Sequence, residues 1–411
     1  MSFQQGLSGL NAAARNIEVI GNNIANASTV GFKESRAQFA DVYAASLSGG
    51  VGSAQAGIGV RVNDVAQQFS QGNISSTDNP MDVAIQGNGF FRLLQNGGVV
   101  YSRNGQFQVD RNNNIVNADG FQLTGFPADP VTGVISPAST PTPLRLSTAD
   151  INPSTTTTAS VVANLDSRST TPVPAFSFID PTSYNNATNV QVFDSLGNPH
   201  NLSLYFRRSA ANSWEVRGQL DGVALAGGAP IGTGLNFTTG GAIDTAATTL
   251  PFNLVLPIAG GAATPQAMTL NFNGTTQYGS AYGITNVTQD GYTSGRLVGY
   301  SISNDGVIQG RFSNGQMRAQ GQIVMASFNN PQGLQPLGSN VWSESSDSGS
   351  PAVGVARSGS LGTLQSSAVE ESNIDLSSEL VELIVAQRVF QANAQTIRTQ
   401  DALLQTIVQL R

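Results

Sequence analysis

Two helical patterns, one at each end of the chain, constrain its folding more than anything between them. Near the start Phe3, Leu7, Leu10, Ala14, Ile17, Gly21 and Ile24 recur at alternating spacings of four and three. Near the end Leu376, Leu380, Leu383, Gln387, Phe390, Ala394, Ile397, Asp401, Leu404 and Val408 repeat that rhythm. Such spacing lays one stripe along a helix and requires a partner for it. Neither stripe has an apolar neighbour in sequence to cover it. The two ends must therefore pack on each other or on other copies of the chain. Sticky helical ends around a Gly- and Thr-rich β middle read as a self-assembling subunit, not an enzyme.

The 411 residues are enough for several domains with cores of their own. Only 11% are charged, against roughly 25% in ordinary soluble proteins. Hydroxyls and amides desolvate more cheaply than ions, which suits a chain surrounded by copies of itself. A net charge of −7, a single lysine (Lys33) and scattered arginines argue against nucleic acid as a partner. With no cysteine, disulfides and thiolate metal sites are excluded. The opening residues lack a basic segment followed by an apolar run, so no Sec-type signal peptide is expected there. Membrane insertion is not expected either, because no stretch approaches the ~18–20 apolar residues of a spanning helix.

Between the helical ends the signal is β. Short alternating runs at 82–86, 89–94, 99–102 and 106–110 are separated by Asn88-Gly89, Asn96-Gly97-Gly98 and Asn104-Gly105, the residues tight turns need. A Pro- and Thr-rich stretch at 127–158 ends this region. Further strands are expected at 190–194, 202–206, 214–217, 252–256 and 270–272, before the first style returns at 299–303, 307–312 and 323–328. The expected fold is α+β, mainly β, with coiled-coil-like terminal helices and two nested β domains. Its parts are a helical core (1–30 with 367–411), extended arms (31–70 with 343–366), an inner β domain (71–147 with 287–342) and an outer β domain inserted into it (148–286). Gly- and Ser-rich residues 46–59 read as a flexible loop.

The most specific string is Gly21-Asn22-Asn23-Ile24-Ala25-Asn26, followed by Gly31-Phe32-Lys33. The asparagines end a helix, Gly31 permits a positive-φ turn and Phe32 anchors the chain as it leaves. This string, with the opening Ser8 to Ala13, Asp82 to Phe91, Tyr101 to Phe107 and Ser372 to Asp401, resembles the bacterial flagellar rod, hook and hook–filament junction family. The resemblance covers both ends and the flanking β region. Within that family the chain length and the inserted β region are similar to its hook-forming members. The resemblance implies a homopolymer: a curved, flexible tube passing motor torque from rod to filament, with no cofactor. It also implies export through the flagellar type III apparatus to the cell surface. Rod proteins, a hook cap and junction proteins are the implied partners.

The remaining chemistry-bearing residues favour structural readings. His200 is the sole histidine, so neither a His-based triad nor a zinc site has material; it is expected at a strand edge. Asp110 to Asn114 alternates oxygen side chains, but Ile115 stands where a calcium loop needs glycine, so a β-turn is expected. Asp375, Glu379 and Glu382 suit the start of a helix, with Ser372 to Asp375 a weak capping box. Gln387 and Asp401 are read as polar stripe positions that set register between copies. The alternatives to a hook subunit are a distal rod protein, a junction protein and, from another class, a secreted β-rich adhesin.

Overall fold

The computed structural model describes residues 2–42, 57, 59–130, 132–137 and 140–409, with side chains from 3 to 406 within those ranges. Most of the loop expected at 46–59 lies outside the described residues. The chain is mainly β with one α-helix near each end, α1 (Ser2–Ala25) and α2 (Leu376–Gln409). It divides into two compact units. One comprises Met1–Thr148, Gly299–Arg311 and Met317–Arg411; the other comprises Ala149–Val298 and Phe312–Gln316.

The start of α2 differs from the capping box expected at Ser372. Asp375 itself caps the helix, its Oδ1 accepting from the amides of Ser377 at 2.9 Å and Ser378 at 3.4 Å. After α1 the chain forms an antiparallel hairpin, β1 (Ser35–Val42) against β2 (Gly59–Gln67), with a bulge at Gln38/Phe39. Backbone pairing therefore replaces the extended arm expected over much of 31–70.

In the first unit, Phe90–Gln95 and Gly98–Ser102 form a tight hairpin. Asn96 and Gly97 both hold positive φ at its turn (49° and 89°), the signature of the turn that matches strand twist. The long strand Met317–Ser327 pairs with Val307–Phe312, Gln122–Pro127, Phe90–Gln95 and Ala352–Val355. Ile85, Phe91, Leu93, Ile115, Ile308 and Ile323 are fully buried in its core. Residues 343–366, also expected as an arm, are instead built in: Ala352–Val355 and Thr363–Ser366 hydrogen-bond to this unit's strands, the latter to Val83–Gln86.

The second unit joins two sheets over one core. An antiparallel sheet holds Asn186–Phe193, Pro199–Ala210 and Ser213–Leu220. The other carries Phe252–Leu256, Gln266–Asn271, Thr158–Asn164 and Gly283–Gln289. Every second residue of Ser213–Leu220 is buried, the period expected of a strand with one face inward. Trp214, Phe206, Phe252 and Phe272 meet in the core, and Trp214 Nε1 donates to Gln277 Oε1 at 3.0 Å. The boundary expected at 286 cuts a strand. Ala159 pairs with Gln289, so the ladder passes that point, and the unit's segment ends at Val298.

Candidate assembly interface at the terminal helices

α1 and α2 pack antiparallel. A Cβ added to Gly6 would lie 3.2 Å from Ile397 Cγ1, and one added to Gly9 would lie 2.9 Å from Asn393 Oδ1. At the opposite end Asn23 Nδ2 donates to Glu379 Oε1 at 3.1 Å. Gly6 and Gly9, which weaken an isolated helix, are here what lets the backbones approach. Gly21 has open space around it.

On α1 the large apolar stripe is not this seam. Of that helix's buried positions Gly6, Ala12, Ala13, Ile20 and Asn23, all but Ala12 sit one residue before a stripe member, a rotation of about 100° around the helix. Phe3 and Leu7 are 45% and 43% exposed, while Leu10, Ala14, Ile17 and Ile24 are half-buried. On α2 Leu383, Phe390, Ala394 and Ile397 are half-buried, whereas Leu376, Leu380 and Leu404 are exposed. The polar positions Gln387 and Asp401 face solvent. Val408 lies beyond the described side chains. Close approach at Gly6 and Gly9 makes room for Ile397 and Asn393 of α2 and leaves Phe3, Leu7, Leu376, Leu380 and Leu404 exposed. A second apolar surface, not visible in the stripe, lies alongside: Val381, Val385 and Val389 join Ala12, Phe39 and Val60 around a groove of about 590 Å³.

The signature string ties this helix pair to the β framework. Asn23 forms two bonds with Ser35, Nδ2 donating to its carbonyl at 2.8 Å and Oδ1 accepting from its amide at 3.0 Å. Asn26 Nδ2 donates to the carbonyl of Asn22 at 2.9 Å, while Ala25 is exposed. Gly31 holds φ +71°, and a Cβ there would meet the amide nitrogen of Asn104 at 2.5 Å, so both turn and packing require glycine. Phe32 is buried beside it.

Lys33, the sole lysine, is wholly buried. Its Nζ lies 2.6 Å from Glu370 Oε1 and donates to the Ser70 carbonyl at 2.7 Å. Arg103 Nη1 meets the other oxygen, Oε2, at 3.1 Å. Glu370 also accepts from the amide of Gly72 at 3.0 Å, and its carbonyl accepts from Gly31. Burial pushes the Lys33 ammonium down from its ordinary pKa, with Glu370 opposing that shift. One carboxylate thus joins three segments far apart in sequence. Arg103 and Glu370 escaped sequence reasoning, although Arg103 lies inside a string singled out at 101–107. A lone lysine amid low charge was the one available signal that a buried acid must exist.

Four family models match in succession. A flagellar basal body rod protein model covers 3–33, and the flagellar hook protein FlgE/F/G D1 domain covers 84–164. The flagellar basal body protein FlaE D2 domain covers 164–292, and the C-terminal model of the rod FlgEFG proteins covers 365–410. The flagellar hook protein FlgE of Escherichia coli is 45% identical over 414 residues, spanning both chains completely. This chain belongs to the flagellar hook protein family. The hook proteins of Salmonella typhimurium (45% identical, both chains spanned completely) and Borreliella burgdorferi (32%, all of this chain and 99% of the other) agree. The crystal structure of Helicobacter pylori FlgE2 shares the fold, with a TM-score of 0.54 at 14% identity over 72% of this chain and all of that one. The chain is a structural hook subunit, rather than a rod protein, a junction protein or an adhesin. Among the described residues no helix is long and apolar enough to cross a membrane.

Proposed function

We propose that the antiparallel helix pair is the polymerisation core of the hook, with copies packing through its two exposed apolar flanks. The observation that supports this most is where apolar surface is left uncovered. Val381, Ile384 and Val385 are 61%, 50% and 54% exposed on a helix that is already paired. Contiguous exposed apolar surface of this kind marks an interaction site. One flank carries Phe3, Leu7, Leu376 and Leu380; the valine groove occupies another, most of the way around α2 at about 100° per residue. Two different flanks make contacts between copies head-to-tail, the arrangement that generates open helical assemblies.

On this reading the helix pairs form the axial layer of the tube and the β units stand outside it. The polymer connects rod to filament, bends while rotating and passes torque. Rod proteins, the hook cap and junction proteins meet it at its ends, and the subunit reaches the cell surface by flagellar export. Placing a charge in each flank, Leu380→Asp with Val385→Asp, should leave a folded monomer that forms no tubes by electron microscopy. Tubes of normal appearance from that variant would remove the helix pair from the assembly core.

A further inference from the structure

The flanks of the helix pair are given to assembly, but the seam between its helices holds a group that packing does not explain. Glu379, in the first turn of α2, is 6% exposed. Its Oε1 accepts from Asn23 Nδ2 at 3.1 Å. Its Oε2 is buried and has no hydrogen-bond partner. An ionised carboxylate with one orphaned oxygen is among the costlier things to enclose. Sequence alone gives Glu379 a favourable place, since an acid suits a helix N-terminus; burial against α1 reverses that advantage.

The surroundings add to the cost. Glu382, one turn along α2, and Glu34, on the link between α1 and β1, both bring like charge to Glu379. Arg36 on β1 is the opposing cation, and its Nη2 lies 3.3 Å from Glu34 Oε1, partly committed to that acid. α1 offers only the neutral amide of Asn23, which it already shares with the Ser35 carbonyl. Burial foremost, then Glu34 and Glu382, raise the Glu379 carboxyl above its ordinary pKa, against the Asn23 bond and Arg36.

We propose that Glu379 is a charge-operated release for the terminal helix pair. As a neutral acid it lets the start of α2 close on Asn23 and the β1 link; ionised, it holds this end of the seam near the point of opening. The sign follows from linkage. A carboxyl whose pKa is raised by folding contributes stability that is fully present below its unfolded value and is lost as pH rises through its folded value. The seam is therefore tighter in mild acid and looser towards neutral pH. Such a device keeps the ends of a free subunit separable without weakening either β unit.

Hydrogen exchange of the full-length monomer across mildly acidic to mildly alkaline pH, corrected for intrinsic rates, tests this. In the natural protein, protection of amides in residues 16–25 and 376–390 should fall severalfold as pH rises. Glu379→Gln, which keeps the bond to Asn23 without the charge, should hold the acid level of protection throughout. Glu382→Gln should keep the transition and move it to lower pH. A carboxyl ¹³C titration of Glu379 must track the same midpoint. Identical pH dependence in Glu379→Gln, or weaker protection of that variant at neutral pH, would overturn the proposal.

Discussion

The second β unit and the terminal helix pair handle apolar residues in opposite ways. In that unit Trp214, Phe206, Val216 and Leu204 are fully enclosed by their own unit, and the indole N–H of Trp214 is satisfied by Gln277. In the helix pair the seam brings Gly6 and Gly9 against Ile397 and Asn393 and Asn23 against Glu379, while Phe3, Leu7, Leu376 and Leu380 stay exposed. The first is a finished core that needs nothing further. On the proposed reading the second is half an interface. That reading assigns stability within one subunit and assembly between subunits to different parts of the chain, and mutations should separate them.

Truncation breaks the comparison most severely. Removing residues up to Ile24, or those beyond Leu376, should abolish polymerisation completely while the β units stay folded, checked by electron microscopy and circular dichroism. Tubes from either truncated protein would sink the division of labour. Trp214→Ala attacks the other side. Truncating a fully buried tryptophan costs about 3–5 kcal/mol, seen as loss of the second unit's thermal transition. Glu370→Gln should cost the first unit a similar ~3–5 kcal/mol, because it leaves Lys33 and Arg103 buried without their acid. Measured effects near zero at Trp214 would show that the second unit's core is looser than its burial suggests.

Gly9→Leu tests the seam itself. The new side chain meets Asn393, and overpacking of this kind costs about 1–3 kcal/mol, partly offset by better helix propensity. Helical circular dichroism of the monomer should fall while the β units melt unchanged. The smallest effect is expected at His200. This residue lies near the start of Pro199–Ala210 and bridges Asp221 Oδ2 at 2.6 Å and Asp194 Oδ2 at 3.4 Å. Burial lowers its pKa, but the bonds to the two carboxylates outweigh that and the net shift is upward. Its contribution is present below the ordinary histidine value and is lost as pH rises through the folded one. Because the pair is partly solvated, His200→Ala should cost at most ~1 kcal/mol, in acid only. A loss independent of pH would assign His200 a packing role.

Much of the fold was legible because local chemistry and global structure agree. Turn residues such as Asn96 and Gly97 sit where the chain needs positive φ, and alternation marked 214–217 within the observed strand Ser213–Leu220. Boundaries were harder. Residues 343–366 are rich in Ser and Gly and carry little apolar periodicity, so nothing local showed that they complete a sheet through backbone bonds to distant strands. The β1–β2 hairpin was hidden for a related reason: its strands mix apolar and polar residues and are joined through residues of loop-like composition.

By itself the sequence determined that both ends are amphipathic helices and that β structure with tight turns fills the middle. These follow from periods of 3.6 and 2, readable within a few residues of chain, while the hook reading rested on the resemblance of strings such as Asn22 to Lys33 to a known family. Tertiary structure alone decided which helix faces meet. A stripe states that Leu7 and Leu380 are apolar, but not whether their own subunit or another covers them. Backbone approach at Gly6 and Gly9 places the seam elsewhere by steric fit, and their own subunit leaves both leucines exposed. It also decided that Lys33, Arg103 and Glu370 share one buried site, and that Glu379 is trapped in the seam. Ion pairs and burial are properties of three-dimensional neighbours, and these neighbours are separated by up to 356 residues of chain.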